Sequence, residues 1–336
     1  MNNISDSIKD LLKLRVKLAE LPTPLQYMKN LTNFLNGPQL YIKRDDLTGL
    51  AVGGNKLRKL EFFIGDAIQK NADLLIISGQ LHSNWLPQAA ASAKKFGLDI
   101  IIVCNKEKNE YIQGNFLLDK IFGADFVFIS NEDYFNNANE IMYKIAKFYK
   151  KKGKNPYIIE KDGTNIIGNL GYVLAAKEIL DQADFLKIRI DYVFLPIGSC
   201  ETFSGLLSGF RGYGSNLKII GATPRRLKED CIFKILQING EISKQLGSDF
   251  KIKKSDFIIN DEYLLDKQDN KIKEIVKAIK LVAQKEGILL DPIYTGRAMA
   301  ILLQLIKNSS FNLDQNILFF HTGGIGGIFS YNEYFI

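Results

Sequence analysis

Leu74-Leu75-Ile76-Ile77, a helical stretch from about Asn84 to Phe96, and Ile100-Ile101-Ile102-Val103 together decide the fold class. The two short runs are unbroken and apolar, as strands covered on both faces must be, and a helix of this length is the usual crossover between parallel neighbours. Outward from this unit the rhythm repeats, with a helix through Phe116-Leu117-Leu118-Asp119-Lys120, the strand Phe126-Val127-Phe128-Ile129 and a helix from about Ala138 to Tyr149. After a loop over Lys151 to Pro156 it resumes with Tyr157-Ile158-Ile159, a helix from Gly168 to Asp181, then Tyr192-Val193-Phe194-Leu195 and Lys218-Ile219-Ile220-Gly221. The last part predicts a long helix from Asp269 to Glu286, another after Thr295 and the strand Ile317-Leu318-Phe319-Phe320. The expectation is an α/β chain with two open, twisted, mostly parallel sheets, helices on both faces, and ligands at the carboxyl ends of the strands.

A chain of 336 residues, 46% of them hydrophobic, has material for two packed cores. No stretch approaches eighteen consecutive apolar residues, and Met1 to Glu20 mixes charges without an apolar leader, so an unexported protein with no membrane partner is expected. Cys104, Cys200 and Cys231 are odd in number and widely spaced, which points to reduced thiols and a cytoplasmic setting rather than to disulfides or zinc. The net charge of +7 raises the question of nucleic acid. The densest basic runs, Lys150 to Lys152 with Lys154 and Lys251 with Lys253-Lys254, carry no aromatic interleaving, so they read as solvated surface.

Several strands end in glycine and small polar residues that lead into helices: Ser78-Gly79 toward Ser83-Asn84, Gly163-Thr164-Asn165, Gly198-Ser199 toward Thr202, and His321-Thr322-Gly323-Gly324. Each such junction can aim N–H groups and hydroxyls at an anion. Gly324-Ile325-Gly326-Gly327 is not expected to make a dinucleotide site, because the sixth position is Phe329 and too little chain follows for the remaining helix, strand and acidic residue. Neither a Walker sequence nor a GxSxG elbow is present, and two histidines, His82 and His321, offer little for a metal cluster or a serine-based relay.

Chemistry without histidine or metal directs attention to Lys56. The strand-like Tyr41-Ile42-Lys43-Arg44 leads through Gly49 and Gly53-Gly54-Asn55 into a helical run from Leu57 to Ala67, with Lys56 at its start. A helix N-terminus disfavours a cation and so lowers the amine's pKa, as an imine-forming lysine requires. By itself, a lysine opening a helix is most often a solvated surface residue.

The surrounding motifs change that balance. Leu21-Pro22-Thr23-Pro24-Leu25, Ile42 to Gly49, and Gly53-Gly54-Asn55-Lys56-Leu57-Arg58-Lys59-Leu60-Glu61 closely resemble the D-cysteine desulfhydrase and 1-aminocyclopropane-1-carboxylate deaminase family, pyridoxal-phosphate enzymes of the tryptophan-synthase-β-like fold (fold type II). The likeness continues through Ser83-Asn84, Gly114-Asn115, Gly163 to Asn165, Gly198 to Gly205, Asp291 to Gly296 and His321 to Gly324. It implies pyridoxal 5′-phosphate as cofactor and Lys56 as the lysine that carries it and moves protons. It places Asn55 and Asn84 near the ring's O3′, Ser83 with Asn84 on the substrate carboxylate, Gly198, Ser199, Cys200, Glu201 and Thr202 in the phosphate cradle, and Tyr294 beside substrate and cofactor. It further implies a larger domain of residues 1–52 and 164–336, a smaller one of 53–163, an active site between them, and a homodimer.

Thr295 and Thr322 stand where the cyclopropane-opening branch carries Glu and Leu, so the resemblance favours α,β-elimination of D-cysteine, with cyclopropane ring opening as the alternative. A hydroxyl leaves the pyridine nitrogen less charged than a carboxylate would, and a thiolate leaves more readily than a ring carbon. Departures accompany the likeness: Cys200 and Glu201 replace two glycines of the cradle, His82 stands where glutamine is usual, and Trp85 and Pro87 follow Ser83-Asn84. A carboxylate beside a phosphate repels it unless it points away, which also leaves a non-catalytic cofactor-binding protein as a third possibility.

Overall fold

Among the described residues, ten strands divide between two sheets, and the division explains why apolar runs recur along most of the chain. The computed structural model describes residues 4–105, 111–161, 166–248, 250–265 and 271–335. The larger sheet contains β1 (Leu25–Tyr27), β2 (Gln39–Arg44), β7 (Tyr192–Pro196), β8 (Lys218–Ala222), β9 (Phe257–Asn260) and β10 (Asn316–His321), in the order β1-β2-β10-β7-β8-β9. Only the β1–β2 pair is antiparallel. The smaller sheet, in the order β5-β4-β3-β6, is parallel throughout and built from β3 (Leu74–Ser78), β4 (Asp99–Asn105), β5 (Asp125–Ile129) and β6 (Pro156–Ile159).

The helices are α1 (Ile4–Leu12), α2 (Lys29–Leu35), α3 (Lys56–Gln69), α4 (Trp85–Lys95), α5 (Gly114–Ile121), α6 (Asn131–Asn136), α7 (Ala138–Lys151), α8 (Leu170–Phe185), α9 (Glu201–Gly212), α10 (Lys228–Gln245), α11 (Ile272–Glu286), α12 (Thr295–Lys307) and α13 (Ile325–Ile328). Apolar clusters lie on both faces of the larger sheet: Val193, Leu195, Leu318 and Phe320 pack with α8, α9 and α10, while Phe194, Ile317 and Phe319 pack with α11 and α12. The β3–helix–β4 unit that decides the fold is buried as its runs predict, Leu75, Ile77, Ile100 and Ile102 meeting the apolar faces of α3 and α4. The 18-residue α10 and the short strands β1 and β9 lie outside the elements expected from the sequence. The expected start of α11 at Asp269 and the junction Gly163 to Asn165 lie outside the described residues.

Register then gathers the ends of strands. Arg44 sits opposite His321, and Phe319 opposite Phe194, so the carboxyl ends of β2, β10 and β7 open side by side. The turns that leave them run to Lys56, to Thr322-Gly323-Gly324 and to Gly198-Ser199.

Candidate active site

Lys56 is positioned by the turn before it. The chain passes Gly53 at φ 72° and Gly54 at φ 133°, conformations open to glycine. A Cβ at Gly53 would lie 2.0 Å from the Asp46 carbonyl oxygen, and one at Gly54 would lie 2.6 Å from Gln88 Nε2. The Gly54 N–H donates to Thr48 Oγ1 at 2.7 Å. Asn55 then bridges three segments: its N–H donates to the Thr322 carbonyl (2.9 Å), and its Nδ2 donates to Thr202 Oγ1 on α9 (3.0 Å). Gln88 of α4 accepts the Leu57 N–H at 3.2 Å, tying the first turn of α3 to the smaller sheet's helices.

Beneath this turn lies a buried charge network. Arg58, 1% exposed, donates through Nε and Nη2 to both oxygens of Asp45 (2.8 Å each), through Nη1 and Nη2 to Glu178 (2.9 Å each), and to Thr23 Oγ1 (3.1 Å). Lys43, fully buried on β2, donates to Glu178, to Gln182 and to the Thr23 carbonyl. The Tyr172 hydroxyl lies 2.8 Å from Asp45 Oδ2 and 3.0 Å from the Asn55 carbonyl, linking the network to the residue beside Lys56. Two cations face two carboxylates, so the cluster is neutral and its hydrogen bonds offset desolvation. Burial pushes the Glu178 carboxyl up, but Arg58 and Lys43 bring it down to about 2.

Lys56 Nζ makes no hydrogen bond among the described residues, and its pKa falls to about 8. The direction is the one expected at a helix N-terminus, yet the largest cause is burial, followed by the nearby Lys59 ammonium, with Glu201 pulling the other way. A recessed, partly neutral amine is what nucleophilic attack on a carbonyl needs.

The other expected residues are each held by contacts of their own. Gly198 packs under Tyr294, since a Cβ there would lie 3.4 Å from Tyr294 Cε1. The Ser199 hydroxyl donates to Glu201 (2.6 Å), and Glu201 also pairs with Lys59 Nζ. Thr322 lies beside Asn55 through its carbonyl, and its hydroxyl makes no hydrogen bond among the described residues. Thr295 behaves differently: its hydroxyl donates to Asp291 Oδ1 (2.7 Å) and accepts the Asp291 N–H (2.8 Å). Asp291 also accepts the N–H groups of Ile293, Tyr294 and Thr295 at 2.9 Å each, which fixes the start of α12. Cys200 takes a left-handed φ of 69°, but its side chain joins Cys231 in the core, where that contact and burial hold the thiol protonated.

On the side of the smaller sheet, Ser83 Oγ accepts the Trp85 N–H at 3.2 Å. Asn84 Oδ1 accepts from Asn115 Nδ2 (2.7 Å), which also reaches the His82 carbonyl (3.0 Å). Gly327 of α13 approaches Asn84, its Cβ position 3.7 Å from Asn84 Oδ1. His321 is structural: its Nδ1 accepts the Gly323 N–H (3.1 Å), and Nε2 donates to the Leu289 carbonyl (2.8 Å). Burial keeps that ring neutral. Sequence reasoning gave no role to Lys59, Arg58, Asp45, Glu178, Tyr172, Asn115 or Asp291. The available signal was charge inside otherwise apolar segments, as at Lys43 on β2.

A recessed amine at Lys56, a helix N-terminus at α9 carrying Ser199, an ammonium at Lys59 and an aromatic ring at Tyr294 suit an aldehyde-bearing, phosphorylated aromatic cofactor. The comparisons agree. A family model described as pyridoxal-phosphate dependent enzyme matches residues 16–323. A Pyrococcus furiosus protein whose name proposes a 1-aminocyclopropane-1-carboxylate deaminase is 37% identical over 320 residues, covering 95% of this chain and 94% of that protein. A Klebsiella pneumoniae D-cysteine desulfhydrase is 37% identical over 325 residues, covering 95% and 97%. A solved structure described as an ACC deaminase homologue superposes with a TM-score of 0.87 at 35% identity, covering 99% of this chain and 98% of that one. The chain belongs to the pyridoxal-phosphate dependent enzymes of fold type II. Among the described residues, no helix is long and apolar enough to cross a membrane.

Proposed function

We propose, from the premise that the chain is a pyridoxal-phosphate dependent enzyme, that it catalyses the α,β-elimination of D-cysteine to pyruvate, hydrogen sulfide and ammonia. The observation that carries this reading is the uncommitted hydroxyl of Thr322, whose carbonyl accepts the Asn55 N–H, together with the engagement of Asp291. Asp291 lies against Gly324, whose Cβ position is 2.8 Å from its carboxyl carbon, but its oxygens already accept three N–H groups and a hydroxyl. A hydroxyl rather than a free carboxylate would then be what the chain offers the cofactor's ring nitrogen, which suits loss of a good leaving group such as a thiolate.

The bound cofactor supplies the electron sink for bond cleavage next to the amino-bearing carbon. The chain supplies the rest. Lys56 Nζ, with a pKa of about 8, is poised to take the α-proton near neutral pH. Ser83 Oγ accepts from the Trp85 N–H, so its hydroxyl hydrogen is left to hold a substrate carboxylate. Asn84, held by Asn115, would serve the ring, and Tyr294, packed over Gly198, would lie beside substrate and cofactor. We take residues 53–163 as a smaller domain that closes on residues 1–52 and 164–336, and the working molecule as a cytoplasmic homodimer.

Purified protein incubated with D-cysteine should release sulfide and pyruvate in equal amounts; no product above a Lys56→Ala control refutes the proposal. The name of the Pyrococcus furiosus relative favours a second reading, cyclopropane ring opening. Mass spectrometry separates the two, because that reaction yields 2-oxobutanoate.

A further inference from the structure

Glu201 stands first in α9, where a phosphate would approach the helix N-terminus. Its carboxylate does not point away from that region. It accepts the Ser199 hydroxyl at 2.6 Å and pairs with Lys59 Nζ, and these are the hydroxyl and the cation that the cradle offers. The Lys59 side chain is 6% exposed, held between the rings of Trp85 and Phe63, with Nζ 5.7 and 5.9 Å from their centroids. A phosphate monoester is bound by charge-assisted donors of this kind. Two anions sharing one buried ammonium and one hydroxyl repel each other, so the two cannot both keep these donors.

We propose that Glu201 competes with the cofactor's phosphate for Lys59 and Ser199, so that loading the cofactor requires the carboxylate to swing out of the cradle. The inference rests on the reading of the α9 N-terminus as the phosphate site. The exit is open, because the Glu201 side chain retains 20% exposure. The same contact keeps the buried Lys59 paired, which gives the carboxylate a structural use whenever phosphate is absent. Glu201 is therefore a determinant of cofactor affinity peculiar to this cradle, acting through Lys59 and Ser199 rather than as a ligand of the phosphate.

The test compares wild-type and Glu201→Gln proteins, each freed of cofactor by dialysis against an amine and titrated separately with pyridoxal phosphate and inorganic phosphate. Fluorescence of Trp85, the single tryptophan, reports binding beside Lys59. The expected result is tighter binding of both ligands by E201Q, by ~10-fold or more, the scale of one charge-assisted contact. E201Q should also melt at a lower temperature without ligand and gain more than wild type from added phosphate, because phosphate returns a partner to Lys59. Equal or weaker binding by E201Q overturns the competition. If inorganic phosphate binds to neither protein while pyridoxal phosphate binds to both, the placement of phosphate at α9 fails instead. Should E201Q not fold, Glu201→Ala repeats the comparison with the same expected direction.

Discussion

Arg58→Met removes the guanidinium that joins α3 to α8 and to the turn after β2, while keeping much of its volume. Its five hydrogen bonds, to Asp45, Glu178 and Thr23, are made at 2.8 to 3.1 Å by a side chain that is 1% exposed. With Arg58 gone, Asp45 and Glu178 face only Lys43, so a neutral cluster becomes a buried net negative charge. Breaking a buried pair from one side costs about 3–5 kcal/mol. Unfolding entropy of about 2.1 cal/mol/K per residue, taken over the whole chain, converts this to a fall of ~4–7 °C in the melting midpoint. The dependence on pH has a definite sign. Its partners hold Glu178 at about 2 in the folded chain, against an ordinary value of 4.5, so its stabilising contribution is present above pH 4.5 and is lost as pH falls toward 2. Arg58 is a main cause of that low value, so the gap between wild type and variant should be widest at neutral pH and narrow across that window. Denaturant titrations at several pH values measure both effects. A gap below ~1 kcal/mol at pH 7, the worth of an exposed pair, would refute the reasoning.

Lys56→Ala should abolish the absorbance band near roughly 410–420 nm that a lysine-linked cofactor gives, along with all turnover, as read by spectrum and by sulfide assay. In wild type, the rate at which cofactor-free protein captures pyridoxal phosphate should rise with pH and level off above the amine's pKa of about 8, measured by stopped-flow absorbance. Because the unfolded amine keeps its ordinary value of 10.5, the unfolded chain binds more protons between those limits, and the cofactor-free protein gains stability from Lys56 as pH rises through them. Thr295→Val should lower stability by about 1–3 kcal/mol, because Asp291 loses two partners, while Thr322→Val should alter the cofactor's spectrum with little change in melting. Gly54→Ala should weaken cofactor binding, since the new Cβ meets Gln88 at 2.6 Å and disturbs the Leu57 contact.

What was legible in the sequence was local in origin. A strand buried on both faces is an unbroken apolar run wherever it occurs, and β3, buried at all five positions, announces itself as one. β9 is four residues long and α10 carries polar residues throughout with Gly240 inside, so neither presents a clean period. Lys56 was findable because the motifs around it, Gly53-Gly54-Asn55 among them, resemble those of a known family; at a helix start alone it reads as a surface lysine. The cause of its low pKa was not, since burial and the approach of Lys59 are properties of the folded chain.

The same limit applies to charge. Lys43 in Tyr41-Ile42-Lys43-Arg44 reads as the polar side of a half-buried strand, and only its meeting with Glu178, 135 residues on, makes a fully buried ammonium tolerable. Glu201 read in isolation repels a phosphate and argues against a cradle. Lys59, 142 residues earlier, turns that conflict into a choice between two anions for one cation. A departure from a family pattern can therefore be judged only with its distant partner in view. Here the partner is the ammonium that a phosphate would also want, so, on the proposed placement of phosphate at α9, glutamate in place of a cradle glycine would change how the cofactor is admitted without dismantling the place that receives it.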